Sequence, residues 1–244
     1  MTAIDDEAIC IRHWDYSETS QTVGLFLRHY GLVRAIAKGS RRERGGFSGG
    51  VDLLTQAHAQ MVIKPTVDLA TLTSWNLLQN FPSVRRNTHA NKIAYFAADL
   101  IGRLFEAHDP HPNVYGCFVH MLEHIGREES GGMEDEIILL GFQWLVLREA
   151  GLQPILGTCP NGVEVVHFNP HDGGKVVEVQ TATTWRVRAT TISVLDALRT
   201  NQSNNHPQLD NDAIVRANRL LAAYIREAIS EEPFTMRRLF GALT

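Results

Sequence analysis

Along the first 80 residues apolar positions recur at every second residue, in short runs separated by polar turns. Glu7–His13 sets Ala8, Cys10 and Arg12 on one side against Ile9, Ile11 and His13 on the other. Thr22–Arg28 and Leu32–Lys38 alternate in the same way around a His29-Tyr30-Gly31 turn, and Leu53–Lys64 and Thr71–Leu78 resume the pattern. Such alternation marks strands with one face buried. Five of them in succession, with turn signals between, predict a small closed β-barrel. Leu25–Leu32 and Leu53–Met61 also carry a spacing that a helix could use.

Beyond Phe81 the period lengthens to that of a helix. Ile93, Ala97, Leu100, Ile101 and Leu104 form one stripe, ended by Pro110 and Pro112. Val114, Phe118, Met121, Leu122 and Ile125 form a second. Met133–Ala150 is apolar nearly all round, which predicts the central helix of a bundle. The helical period is lost over 151–189, where Val163–Phe168 and Lys175–Val179 read as short strands. It returns at Thr191–Leu198. Behind an Asp210-Asn211-Asp212 start signal it continues through Ile214, Ala217, Leu221, Tyr224, Ile225 and Ala228. The expected fold class is therefore α+β. A barrel domain covers residues 1–80 and a helical domain 81–244, the latter interrupted by a strand-rich insert at about 151–189.

A chain of 244 residues, 44% apolar and 20% charged, has the make-up of a globular protein with a sizeable core. Collagen-like, disordered and disulfide-scaffold classes are excluded. Cys10, Cys117 and Cys159 show no paired spacing that would argue for an oxidising compartment. The longest strongly apolar run, Ile137–Leu147, is broken by Gln143 and falls short of the roughly 20 residues of a membrane span. The acidic start MTAIDDEAIC lacks the apolar core of a secretion signal. A cytoplasmic protein without a membrane partner is expected.

The formal net charge of −4 conceals an asymmetry. Positions 28–44 hold Arg28, Arg34, Lys38, Arg41, Arg42 and Arg44 against Glu43 alone. For a polyanionic partner, such a local patch matters more than the global sum. Three of its arginines sit in Gly39–Gly50, which has five glycines but lacks the ending of a phosphate-binding loop. Trp14, Tyr30 and Phe47 lie close by as candidates for stacking on bases, while Phe26 among apolar neighbours reads as barrel core. A basic groove interleaved with aromatics on a small barrel holds single strands without sequence preference. A second basic set, Arg216, Arg219 and Arg226, projects from the last long helix opposite its apolar stripe.

The most enzyme-like string is His120-Met121-Leu122-Glu123-His124. Histidines at i and i+4 share a helix face and can hold one zinc, with Glu123 as base, so a zinc-dependent hydrolase is an alternative. Both histidines fall on the polar flank of their stripe, however, and no carboxylate ligand stands out on a later helix. Two solvated surface histidines are the plainer reading. Cys159 has no cysteine after it, and one ligand is not a site. A further alternative is an interaction module whose basic loop binds protein rather than DNA.

Several stretches, taken in order, carry a family likeness. They are Arg12–Leu27 (RHWDYSETSQTVGLFL), Tyr30-Gly31, Ala37-Lys38-Gly39 with Arg41 and Arg42, and Leu77–Arg86 (LLQNFPSVRR). Leu147–Cys159 (LREAGLQPILGTC), Phe168-Asn169-Pro170, Gly173-Gly174, Arg219–Arg226 and Arg237–Phe240 follow. Together they resemble the RecO family of bacterial recombination mediators over nearly the whole chain. The resemblance implies an OB-fold followed by a helical domain with a zinc-ribbon-like insert, and a non-enzymatic, cofactor-free role in DNA repair and recombination. It implies binding of single- and double-stranded DNA and annealing of complementary strands in a nucleoid-associated, cytoplasmic setting. It also implies work with RecR to load RecA onto strands coated with single-stranded DNA-binding protein. The acidic C-terminal tail of that coat protein would meet basic helical residues, Arg216 and Arg219 among them. Many relatives carry two C-x-x-C pairs in the insert. The matching positions here are Cys159, Gly162, Val177 and Gln180, so no metal is expected and packing must hold the insert together.

Overall fold

Strands fill the chain as far as Gln79, and helices dominate after it. The computed structural model describes residues 2–41, 47, 50–63, 69–127, 132–157, 159, 162–177, 179–200 and 210–243. They form two compact units, Met1–His124 and Ile125–Thr244.

The first unit begins with β1 (Thr2–Asp15), β2 (Gln21–Leu27), β3 (Gly31–Ala37), β4 (Gln56–Ile63) and β5 (Ala70–Gln79). They close into an OB-fold barrel in the order β1-β2-β3-β5-β4, with only the β3–β5 pairing parallel. Inward positions alternate between small and large: Ala35, Ala37, Ala57 and Ala59 stand beside Leu25, Met61 and Leu72. A five-stranded barrel is narrow, and alanines make room for the larger chains. The helical reading of Leu25–Leu32 fails because a hairpin turn splits it, and Leu53–Met61 starts in a turn and then enters β4.

β1 departs from strict alternation at one point. Cys10 pairs with Leu25 and Arg12 with Gly24, so one extra residue is accommodated between them. Such a β-bulge reverses the phase of the strand. Ala8 and Cys10 face the core, whereas Arg12, on their side by simple counting, emerges on the outer face.

Three helices complete this unit: α1 (Pro82–Arg86), α2 (Thr88–Leu104) and α3 (Pro112–His124). Asn87 starts α2, its side-chain oxygen accepting from the backbone N–H groups of His89 and Ala90 at 2.9 and 3.1 Å. The two expected stripes are buried, Ile93, Ala97, Leu100 and Ile101 on α2 and Val114, Phe118, Met121 and Leu122 on α3. From α3, Tyr115 lays its ring 5.8 Å from Phe26 and accepts a hydrogen bond from Gln56 Nε2 at 3.2 Å. Phe26 is thus fully buried, but beneath a helix and outside the barrel's interior cluster. The segment after α2 is seated on β3, with His108 N–H donating to Leu32 O at 3.0 Å. Gly31, at φ 66°, permits this approach, since a Cβ there would lie 2.1 Å from Asp109 O. Secondary structure changes at residues 80–81, and the first compact unit continues past that point to His124.

The second unit holds α4 (Met133–Glu149), the strands β6 (Val165–Asn169), β7 (Lys175–Val177) and β8 (Trp185–Arg188), then α5 (Ala189–Arg199), α6 (Asn211–Ile229) and α7 (Phe234–Phe240). α4 packs on α6 across a buried polar pair, Gln143 Nε2 donating to Asn218 Oδ1 at 2.8 Å. Asn218 Nδ2 donates in turn to Glu136 O at 2.9 Å, fixing the register of the two helices. The insert is a three-stranded sheet ordered β7-β6-β8. Its anchor is Phe168, fully buried, 5.8 Å from the Trp185 ring and 5.7 Å, edge-on, from Tyr224 of α6. Gly174 (φ 69°) lets the chain close over it, because a Cβ there would meet Pro154 at 2.8 Å and Phe168 at 3.0 Å. Among the described residues no helix is long and apolar enough to cross a membrane.

Candidate nucleic-acid interface

The basic run of the first unit does not gather into one cluster. Arg28 stands exposed at the β2–β3 turn, 3.5 Å from Glu7. Lys38 and Arg41 lie past the other end of β3, about 20 Å away at the rise of a strand. Arg41 pairs with Asp15. Arg34 and Lys38 are exposed, with no ion pair among the described residues. Arg42 and Arg44 lie outside the described residues.

The turn carrying Lys38 is pinned from below. Gly39 N–H donates to Ser20 Oγ at 3.1 Å, and the buried Ser40 hydroxyl donates to Gln21 Oε1 at 2.9 Å. The same Gln21 oxygen receives Val51 N–H at 3.0 Å, so one buried amide ties down both ends of the glycine-rich stretch. Buried polar groups with their hydrogen bonds made are rigid supports.

Of the three aromatic candidates, two are available. Trp14 is 47% and Tyr30 39% exposed, whereas Phe47 is 7% exposed and packed in the barrel core. Phe47 is therefore not placed to stack on a base; its apolar ring plugs the barrel despite its glycine-rich neighbours.

What the fold brings together is Trp14 with Arg34 and, unforeseen, Arg12. They line a cavity of about 370 Å³ on the outer face of β1–β3, with Leu32, Phe105 and two glycines, Gly24 and Gly102. Arg12 donates to Asp99 Oδ1 of α2 at 2.8 Å, and Arg103 Nε reaches the same oxygen at 3.0 Å. Sequence reasoning missed Arg12 because period-two counting turned it inward. The signal was there, since an arginine on the core side of a strand is an anomaly.

The second unit has its own basic hollow, about 560 Å³, where Arg216, Arg219 and Arg226 meet Arg186 and Arg188 of β8. Val187, Leu220 and Leu243 contribute apolar surface. Arg216 contacts Thr191 Oγ1 at 3.3 Å and Asp210 Oδ2 at 3.2 Å. Arg219 donates to the carbonyls of Phe240 and Ala242 at 2.6 and 2.8 Å, and Arg226 to that of Leu243 at 2.7 Å. Arg226 also lies 3.5 Å from Glu227, so among the described residues it is Arg219 whose charge is oriented by neutral carbonyls without being offset. The alternation Trp185-Arg186-Val187-Arg188 could have revealed β8 and its two arginines.

His120 and His124 stack at 4.0 Å, and His124 Nδ1 donates to His120 O at 2.8 Å, leaving only one nitrogen of that ring for a metal. Glu123 accepts from Gln79 at 2.8 Å. Among the described residues, no group of three or more His, Cys, Asp or Glu is placed to hold a metal. Burial pushes the Cys10 thiol up to about 12 and that of Cys117 to about 11, so neither is a nucleophile near neutral pH. Burial and, secondarily, the Asp196 carboxylate also raise Cys159.

Comparison with known proteins places these features. Residues 1–81 match the family model described as recombination protein O N terminal, and residues 85–238 the C-terminal model. The chain is 25% identical over 229 residues to the DNA repair protein RecO of Myxococcus xanthus, covering 92% of each protein. It is 32% identical over 152 residues to that of Rhodopirellula baltica, where the match spans 62% of this chain and 55% of the relative. With the corresponding protein of Anaeromyxobacter sp. strain K it shares 29% over 171 residues, covering 68% of this chain and 66% of the relative.

Proposed function

The chain belongs to the recombination protein O family of DNA repair proteins, and from that premise we propose that it is a DNA-binding mediator of recombination rather than an enzyme. In this reading the barrel holds single- and double-stranded DNA through Arg34, Lys38, Arg41 and Arg12, and complementary strands anneal on the protein. The observation that carries it is the cavity on the outer face of β1–β3, where cations and an exposed tryptophan converge on the side of an OB-fold suited to oligonucleotides. Arg28, Arg42 and Arg44 are proposed as further phosphate contacts, and Tyr30 offers a second ring near Arg28.

The hollow of the second unit suits an acidic peptide with an apolar residue at its end, since five arginines surround apolar surface. The acidic tail of a single-stranded DNA-binding protein has this chemistry. Arg216 and Arg219 would take its carboxylates. With RecR as co-mediator, the protein would then load RecA where the coat is displaced, in the cytoplasm and at the nucleoid. No cofactor enters this scheme.

Fluorescence anisotropy of the full chain with labelled single- and double-stranded oligonucleotides across a salt series tests the DNA-binding reading. Binding that weakens linearly in log K against log salt is the expected result. Absence of binding to both forms at low salt would overturn it.

A further inference from the structure

The geometry points to a cleft for one unstacked nucleobase of a single strand, set between Arg12 and Arg34 and kept open by Gly24. This inference rests on the DNA-binding reading and refines it. Arg12, Gly24 and Arg34 form one row across β1, β2 and β3, because Arg12 pairs with Gly24 and Gly24 with Arg34. Neighbouring strands lie about 4.8 Å apart, so the two arginines stand roughly 10 Å apart with no side chain between them. The cavity of about 370 Å³ lies within the range of small-molecule sites, about 300–1,000 Å³.

Its walls differ in kind. Arg12 is held by Asp99 at 2.8 Å and runs past Gly102, where a Cβ would come within 3.3 Å of its guanidinium. That flat group is fixed in orientation before any ligand arrives. Phe105, 8% exposed, gives an apolar wall, and Trp14, 47% exposed, a ring for the base to lie on. Arg34 is exposed and has no ion pair among the described residues, so its charge is available to the adjoining phosphate. A planar, partly apolar group with an anion beside it matches this set, and a nucleotide in a single strand presents both. In a duplex the faces of the base are stacked, and only its edges and the phosphates can be reached. The cleft therefore selects single strands by shape.

Gly24→Val tests this because it fills the cleft and removes no charge. The nearest obstacle to a Cβ at residue 24 is Arg12 Cβ at 3.3 Å, which a small shift relieves. Full-length wild type and variant are titrated with a short oligothymidylate and with a duplex of equal length over a salt series. The expected result is about 10-fold weaker single-strand binding, the weight of one stacked base, with an unchanged salt slope and unchanged duplex affinity. Equal single-strand affinity in the folded variant would overturn the cleft while leaving DNA binding intact. A parallel loss on both DNA forms would also overturn it. Should Gly24→Val fail to fold, Trp14→Leu at an exposed position carries the same expectation and the same refutation. Wild type that binds neither DNA would defeat the proposed function as well.

Discussion

Both units of this protein collect arginines around an apolar hollow, but the groups that hold those arginines differ. On the barrel, Arg12 is tied to the carboxylate of Asp99, and beyond the hollow Arg41 is tied likewise to Asp15. On the helical unit, Arg219 is held by backbone carbonyls, while Arg226 adds Glu227 at 3.5 Å to its carbonyl and Arg216 has Asp210 at 3.2 Å. A carboxylate fixes a guanidinium and offsets its charge, which leaves a flat, polarisable surface for stacking. A carbonyl fixes it and leaves the charge in force, ready for another carboxylate. Arg12 and Arg219 thus show the same residue type prepared for two ligand chemistries by two kinds of anchor.

The sharpest way to break this comparison is to remove one hollow entirely. Phe168→Ala deletes the ring that joins the insert to α6, and loss of a buried phenylalanine costs about 3–5 kcal/mol. Thermal melting should show the second unit unfolding much earlier, while oligonucleotide binding by the barrel persists below that transition. Loss of DNA binding together with the melting shift would show that the two units do not act separately.

A gentler change separates the ligands. Arg188→Ala with Arg219→Ala should weaken a labelled acidic peptide by about 10- to 100-fold, the loss of two charge-assisted contacts. DNA affinity and its salt slope should stay as they are. Equal loss on peptide and DNA would mean that both hollows serve one partner. In the reciprocal experiment, Arg34→Ala, Lys38→Ala and Arg41→Ala are combined. If each side chain meets one phosphate of a single strand, the slope of log K against log salt should flatten by roughly 2, at about 0.7 per contact. Melting should move by less than about 0.5 kcal/mol, as for exposed surface positions. An unchanged slope would move the DNA site off the barrel.

The smallest effect is expected at the stacked histidines. His120→Ala with His124→Ala should leave zinc content, DNA binding and peptide binding unchanged, with stability altered by less than about 0.5 kcal/mol. A zinc lost with these two side chains would revive the hydrolase reading.

How far the sequence revealed all this depends on whether a local rule met a local cause. The five strands were legible because each buries one face, and period two follows directly. The stripes of α2, α3 and α6 were legible for the same reason at the helical period. Short elements were not: α1 with five residues, α7 with seven and β8 with four offer too few positions for a period to show. Phe47, a stacking candidate by its closeness to the arginine- and glycine-rich stretch, is instead buried in the barrel's interior cluster, which local sequence does not show. Arg186 and Arg188 went unnoticed with β8. Exposure of Trp14, Arg34 and Lys38 could be foreseen, but their grouping with Arg12 could not, because strand register and the bulge together create it.

That bulge has a consequence for how β1 tolerates changes in length. The strand serves two partners in turn, Thr2–Ile9 lying against β4 and Ala8–Asp15 against β2, and the odd residue falls at the handover. Its N-terminal half keeps one parity and its C-terminal half the other. Loss of the single residue Ile11 would therefore be a shortening rather than a parity error, because Cys10 and Arg12 already face consecutive partners, Leu25 and Gly24. Arg12, His13 and Trp14 would keep their partners and their sides, whereas a residue lost from the regularly paired stretch Ala3–Ala8 would turn one flank of the strand inside out.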